Sequence, residues 1–350
     1  MLHYDIRGHP IAAAPIRGSD NTIPLAPLRI GAGHCGSVWT TTDATWVIKR
    51  ADGSPHRYLW KEYYMQNRIL NHYSKSKPPK ALIPASFWYS INEECWVMCS
   101  ERIPPLSTEF RDALVDRFCP EEVKQGVKEK DTVCIARLYL GRRHSGRPSR
   151  FFSLNNYVLC LDSMEQLELP VHEYAEAIAD TLATLHWDAE IDANDVEFVL
   201  GSRRQLDISA LKPGLSSSEI ANMLYNWPTR CVLVDYRPID PPRPQPSTKL
   251  SASTTGDSQV WVLDFDCCDA ITMDIEGVEK AALSAHINDP YHPKPCTPES
   301  KDFELWEAFR KRYLATGAEI IKRKGLDEKL PRLFIDRGPY CARHSQETGR

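Results

Sequence analysis

Five carboxylates fall in two short strings of this chain: Asp192, Asp195 and Glu197 in Ile191-Asp192-Ala193-Asn194-Asp195-Val196-Glu197, and Asp264 and Asp266 in Leu263-Asp264-Phe265-Asp266. Each string adjoins an apolar run, Phe198-Val199-Leu200 or Trp261-Val262-Leu263, of the kind that forms a buried strand, so Glu197 and Asp264 stand at strand ends. Carboxylates gathered in one cleft raise one another's pKa unless cations neutralise them. Two kinds of cation suit them: magnesium ions carrying a nucleotide, or a guanidinium held by bidentate hydrogen bonds. Upstream, Gly31-Ala32-Gly33-His34-Cys35-Gly36-Ser37-Val38 precedes Lys49, which closes the run Trp46-Val47-Ile48. Gly31, Gly33 and Gly36 let backbone N–H groups approach an anion closely, and Lys49 adds a positive charge, the chemistry of a phosphate cradle. Cys35 and Ser37 in the same loop are candidate nucleophiles, although most such residues are structural. Arg142, Arg143, His144, Arg147 and Arg150 form a basic loop that is either solvated or an anion-binding patch.

Strands and helices must carry these groups into one place. From 26 to 103 the pattern predicts a small β-rich lobe: a strand, the glycine loop, a strand over 45–49, a helix over about 58–71, and strands over 81–90 and 94–101. Glu62 falls early on that helix, where an acid pairs with Lys49 and holds it over the cleft. Ser100-Glu101-Arg102-Ile103-Pro104-Pro105 reads as a hinge, because two prolines end the strand and stiffen the crossing. Residues 104–350 make a larger, mainly helical lobe. It holds an apolar strand over 133–140, a helix over 171–187 with Tyr174, Ile178, Leu182 and Leu185 at helical spacing, and a C-terminal helix over 299–324. That last helix ends in Lys311, Arg312, Lys322, Arg323 and Lys324, which the helix dipole favours in any case. An insertion between the acidic strings carries a helix near 216–227 and a strand over 230–236 that could pair beside 261–263. Its stretch 238–259 has the composition of a disordered segment, and 1–25 reads as a flexible arm.

Glycine loop, lysine, helix acid, acidic loop and Asp-Phe-Asp follow one another in the order found in protein kinases. The ending Leu182-Ala183-Thr184-Leu185-His186-Trp187 is similar to the helix before the catalytic loop of aminoglycoside phosphotransferases. The resemblance implies an α+β, two-lobed protein-kinase-like fold. On kinase spacing Asp192 takes the place of the aspartate that orients an attacking hydroxyl, and Glu197 replaces the magnesium-binding asparagine. Asp266 stands where kinases have glycine, which removes backbone freedom from the following segment. The motifs thus point to a kinase-like fold without requiring a kinase. One reading is a small-molecule phosphotransferase or a nucleotide-binding pseudokinase, with ATP and magnesium as ligands.

Composition narrows the field. The chain has 350 residues, 42% of them hydrophobic, enough for a large core. No apolar run approaches the roughly 20 residues of a membrane span, and the N-terminus has no secretory or transit pattern, so a cytoplasmic enzyme is expected. A net charge of −4 gives no global pull toward nucleic acid, and neither a DNA nor a membrane partner is expected. Eleven cysteines without regular spacing read as reduced thiols, and no metal-ligand set is expected from them.

Three strings carry a second resemblance: Tyr174-Ala175-Glu176-Ala177-Ile178-Ala179-Asp180, Leu185-His186-Trp187 through Ile191 to Leu200, and Trp261-Val262-Leu263-Asp264-Phe265-Asp266-Cys267-Cys268. Over about 32–333 the chain resembles a fungal family catalogued as hypothetical proteins under a misleading zinc-finger label. That family overlaps the fungal arginine-containing cyclodipeptide synthases. The resemblance implies condensation of arginyl-tRNA with a second aminoacyl-tRNA to a cyclo-Arg-Xaa diketopiperazine in secondary metabolism. Such aminolysis needs a general base and oxyanion donors but no ATP or other cofactor. Asp192, Glu197, Asp264 and Asp266 would then be the catalytic acids and, with Asp195, would receive the arginyl guanidinium and α-ammonium. Gly31, Gly33, Gly36, Lys49 and Glu62 would hold the acceptor end, and Arg142, Arg143, Arg147 and Arg150 the tRNA backbone.

Overall fold

The computed structural model describes residues 2–4, 10–11, 28–33, 35–41, 44–51, 59–73, 79–91, 96–130, 133–144, 152–205, 207–208, 256–287 and 290–337. The expected helix at 216–227, the strand at 230–236, most of the stretch 238–259, and Arg147 and Arg150 lie outside the described residues. The described chain is mixed α+β and contains two sheets.

The first sheet is antiparallel. It comprises β1 (Leu2–Tyr4), β2 (Pro10–Ile11), β3 (Leu28–Gly33), β4 (Gly36–Thr40) and β5 (Trp46–Arg50), then, after helix α1 (Leu59–Tyr73), β6 (Ser86–Ile91) and β7 (Trp96–Glu101). Its spatial order is β2-β1-β6-β7-β5-β4-β3. Within the stretch 1–25, expected to be an arm, the described residues form β1, which pairs with both β2 and β6 at the sheet edge. Alternation along β5 buries Trp46 and Ile48 among Trp39, Phe87, Trp88, Val97 and Cys99. The same alternation turns Val47 and Lys49 to the opposite face, where α1 lies. Within the glycine hairpin, Gly33 pairs with Gly36, which has φ 141° and thus a backbone that glycine adopts readily.

The rest of the chain supplies α2 (Thr108–Phe118), α3 (Lys124–Lys130), β8 (Ala136–Tyr139), β9 (Val158–Cys160), α4 (Leu161–Gln166), α5 (Val171–Trp187), β10 (Glu197–Ser202), β11 (Ser258–Leu263), α6 (Ile275–Ile287) and α7 (Phe303–Lys324). The second sheet runs β11-β10-β8-β9. Helix α5 is buried nearly all round, with Tyr174, Ile178, Leu182 and Leu185 in the core, because it is packed between this sheet and α7. No helix among the described residues is long and apolar enough to cross a membrane.

The outer edge of β11 is met by the segment that leads into β6. Leu82, leading into β6, forms a parallel bridge with Trp261, and its backbone bonds Val260 and Val262 at 2.8 and 2.9 Å. The two sheets are also joined at the stretch read as a hinge. Arg204 donates to both carboxylate oxygens of buried Glu101, at 2.7 and 2.6 Å, and to the carbonyl of Ile83 at 2.8 Å. Gly201 is required beside it, since a Cβ there would meet Ile103 Cγ2 at 2.6 Å and the Pro104 carbonyl at 2.9 Å.

Candidate functional site

A cavity of about 220 Å³ opens between the sheets, lined by the glycine hairpin, β5, β7, β8 and the facing ends of β10 and β11. Register explains how two distant strings meet there. Glu197 pairs with Leu263 in the β10–β11 ladder, so Glu197 and the next residue, Asp264, arrive together at one end of the sheet. Asp264 leaves the strand with φ 68°, and Ala193 and Asp195 in the other string have φ 50° and 60°. Left-handed backbone at non-glycine residues costs on the order of 1 kcal/mol or more and gathers at functional sites.

Lys49 is the centre of the cleft. Its ammonium donates to Glu62 at 2.6 Å and to Asp264 at 2.9 Å, which ties β5, α1 and the end of β11 together. Burial acts to lower the Lys49 pKa, but Asp264 and Glu62 outweigh it and hold the ammonium charged. Burial pushes Glu62 up to about 7 against the opposing pull of Lys49. Glu197 also reaches about 7, raised by burial and by Asp264, although a neighbouring arginine pulls it down. That arginine is Arg137 on β8, 2.7 Å from Glu197, and it lines the same cavity. Sequence reasoning missed it, since a lone arginine inside an apolar strand gives no motif. It also changes the electrostatic picture: the cleft provides its own cations, Lys49 and Arg137, for the acids that face it.

The expected carboxylates separate into three settings. Glu197 and Asp264 line the cleft with Glu62. Asp195 is exposed, and its charge adds to the upward push on Glu197. Asp192 is only 2% exposed and organises its loop, accepting backbone N–H bonds from Asn194 at 3.1 Å and Asp269 at 2.8 Å. The full convergence of five acids on the cleft is thus corrected, because the backbone bonds hold Asp192 in the wall. Asp266 is buried beneath the hairpin, where it accepts a hydrogen bond from the Cys35 thiol at 2.9 Å. Burial, reinforced by Asp266, raises the Cys35 thiol far above its ordinary range despite Lys49 nearby, which makes it a poor nucleophile. Ser37 is buried and accepts from the Trp39 indole at 2.6 Å, directed away from such a role.

Of the basic loop's arginines, Arg142 and Arg143 are among the described residues. Arg143 is committed to Glu165, at 2.6 Å through both terminal nitrogens, and to Asp302. Arg142 is exposed and lies over the Tyr139 ring at 5.7 Å. On α7, Arg312 pairs with Asp180, Arg323 with Asp188 and Lys324 with Glu190, whereas Lys311 and Lys322 are exposed.

The raised acids fix a pH dependence. Between the unfolded value of 4.5 and about 7, the native protein keeps protons on Glu62 and Glu197 that the unfolded chain has released. Raising pH through this window therefore lowers stability, by up to roughly 3 kcal/mol per group. Denaturant titrations at pH 5.5 and 8 are expected to show the loss for the native sequence and a smaller loss for Glu62→Gln and Glu197→Gln. An unchanged slope in both variants would remove these groups from the account.

Comparison with known proteins adds one match. A model of the DUF3669 family, described as a zinc finger protein, matches residues 260–325, from β11 to the end of α7. The described cysteines and histidines of that stretch do not fit a zinc finger. Cys268 is buried with its thiol directed to the Asn194 carbonyl, the His292 ring is engaged by the carbonyls of Pro293 and Ala285, and no three of these side chains converge among the described residues. No curated protein matches the chain.

Proposed function

We propose that the protein is an aminoacyl-tRNA-dependent synthase of an arginine-containing cyclic dipeptide, working in the cytoplasm on a protein-kinase-like scaffold. The observation that carries this reading is the meeting of its two most characteristic strings at one cleft: Glu197 and Asp264 stand side by side there, opposite Lys49. The Glu197 carboxyl, poised near neutrality, suits a general base that takes a proton from the incoming α-ammonium or amine. Asp264 and Glu62 suit an arginyl cation in exchange for part of the Lys49 charge. Lys49 and the glycine hairpin suit the developing oxyanion or an acceptor-end phosphate. Neither ATP nor a metal is needed for this chemistry.

A phosphotransferase or a nucleotide-binding pseudokinase is the second reading, favoured by the Lys49–Glu62–Asp264 contacts and by the apolar cleft walls Val38, Val47, Met98 and Leu263. One experiment separates the two. The protein is incubated with bulk tRNA, synthetases and amino acids, and separately with ATP and magnesium, and products are read by mass spectrometry. Arginine-containing diketopiperazine is expected in the first and no ADP above background in the second; the reverse overturns the proposal. Filter binding of tRNA is expected to weaken steeply with salt, by about 0.7 to 0.9 log units per phosphate contact per log unit of salt. Arg142→Gln, Lys311→Gln and Lys322→Gln together should flatten that slope, because these cations are exposed. An unchanged slope would place the tRNA elsewhere.

A further inference from the structure

Cys35, Asp264 and Asp266 bring one sulfur and two carboxylate oxygens within 4.8 Å of one another. The three come from opposite sides of the cleft: Cys35 from the glycine hairpin, the two acids from the segment that leaves β11. Cys35 and Asp266 are each 5% exposed and already share the 2.9 Å hydrogen bond. Asp264 is more open, and one of its oxygens accepts from Lys49. From this geometry we infer that Cys35, Asp264 and Asp266 form a binding site for one thiophilic divalent cation, zinc or cobalt in type, which clamps the glycine hairpin onto the end of β11.

The donor set decides the metal. Thiolate together with carboxylate selects a borderline ion such as Zn²⁺ or Co²⁺, whereas Mg²⁺ takes oxygen ligands and keeps its waters. The hydrogen bond marks where the ion goes. As the sulfur–metal bond forms, the Cys35 proton leaves to solvent, and the cation replaces that proton between Sγ and the Asp266 oxygen. Three protein ligands leave a fourth, open position for water or a cleft ligand. Lys49 stays on its Asp264 oxygen, and its ammonium is shared with Glu62 at 2.6 Å. Release of one proton means that affinity climbs about tenfold per pH unit while the free thiol is protonated. The ligand set differs from a zinc finger, and the inference concerns binding alone, so it stands whichever reaction the cleft performs.

Titration of the whole protein with Co²⁺ under reducing conditions tests it. One equivalent is expected to bind with a thiolate-to-cobalt absorption band, to release a proton, to be displaced by Zn²⁺, and to survive a large excess of Mg²⁺. Cys35→Ser should abolish the band, and Asp266→Asn, which retains the thiol, should weaken binding at least about 100-fold, no less than an outer-shell partner costs. Circular dichroism checks that each variant is folded, and either variant suffices if the other is not. Absence of the band, or its persistence in Cys35→Ser, overturns the site. So does its loss in Cys160→Ser with retention in Cys35→Ser, which would place the ion at the cluster of His144, Cys160 and Asp162.

Discussion

Replacing Lys49 by methionine is expected to reduce turnover in the proposed aminolysis by about 10² to 10³-fold and to destabilise the protein by about 3 kcal/mol at pH 8. Both effects have one origin. The ammonium bonds Glu62 at 2.6 Å and Asp264 at 2.9 Å, and its loss leaves two carboxylates facing each other in the cleft without their shared cation. The pH dependence identifies the cause. Glu62 is already raised to about 7, so without Lys49 it takes up a proton more readily still. The stability deficit should therefore shrink at pH 5.5, where Glu62 is neutral in both proteins. The double variant Lys49→Met/Glu62→Gln separates the two roles: it should recover most of the stability and none of the turnover. Recovery of turnover in that double variant would reduce Lys49 to a structural ion-pair partner.

The parts of the site that could be read from the sequence are those set by local pattern. Alternation in Trp46-Val47-Ile48-Lys49 puts Lys49 on the face opposite the core, and an acid one turn into the next helix lies across from it. Both acidic strings sit at the ends of apolar runs, and the antiparallel pairing of those runs brings Glu197 and Asp264 together. What escaped the sequence depends on contacts with no local signature. Arg137 meets Glu197 only because β8 lies beside β10, and Cys35 meets Asp266 across 231 residues. Glu101 and Arg204, joined across 103 residues, lock the crossing that two prolines had marked as a hinge. Asp192 is the converse case: its spacing fits a catalytic role, while the structure buries it with two backbone N–H groups donating to one of its oxygens. Arg143 looks like available charge in the sequence because its acidic partners, Glu165 and Asp302, lie far along the chain.

Arg137 offers the sharpest separation of charge from structure. It lies 2.7 Å from Glu197, and both side chains face the cavity. Glu197→Gln removes the base and should lower the rate of the proposed aminolysis by about 10² to 10⁴-fold at every pH. Arg137→Met leaves the base but removes the charge that opposes its burial, so the Glu197 carboxyl rises above its native value of about 7. The rate of that variant should be low at pH 7 and recover toward the native rate at pH 9, an upward shift of the ascending limb of the pH profile. Stability follows a different pattern. Arg137→Met leaves a half-buried acid without its partner, at a cost of about 2 kcal/mol above pH 8, where Glu197 must ionise. Adding Glu197→Gln to Arg137→Met removes that charge and should return part of the loss, a coupling measurable in a double-mutant cycle. If Arg137→Met lowers the rate equally at pH 7 and pH 9, the arginine touches the substrate itself. If Glu197→Gln retains the native rate, the base lies elsewhere in the cleft, with Glu62, Glu101 and Asp264 the remaining acids among the residues that line it.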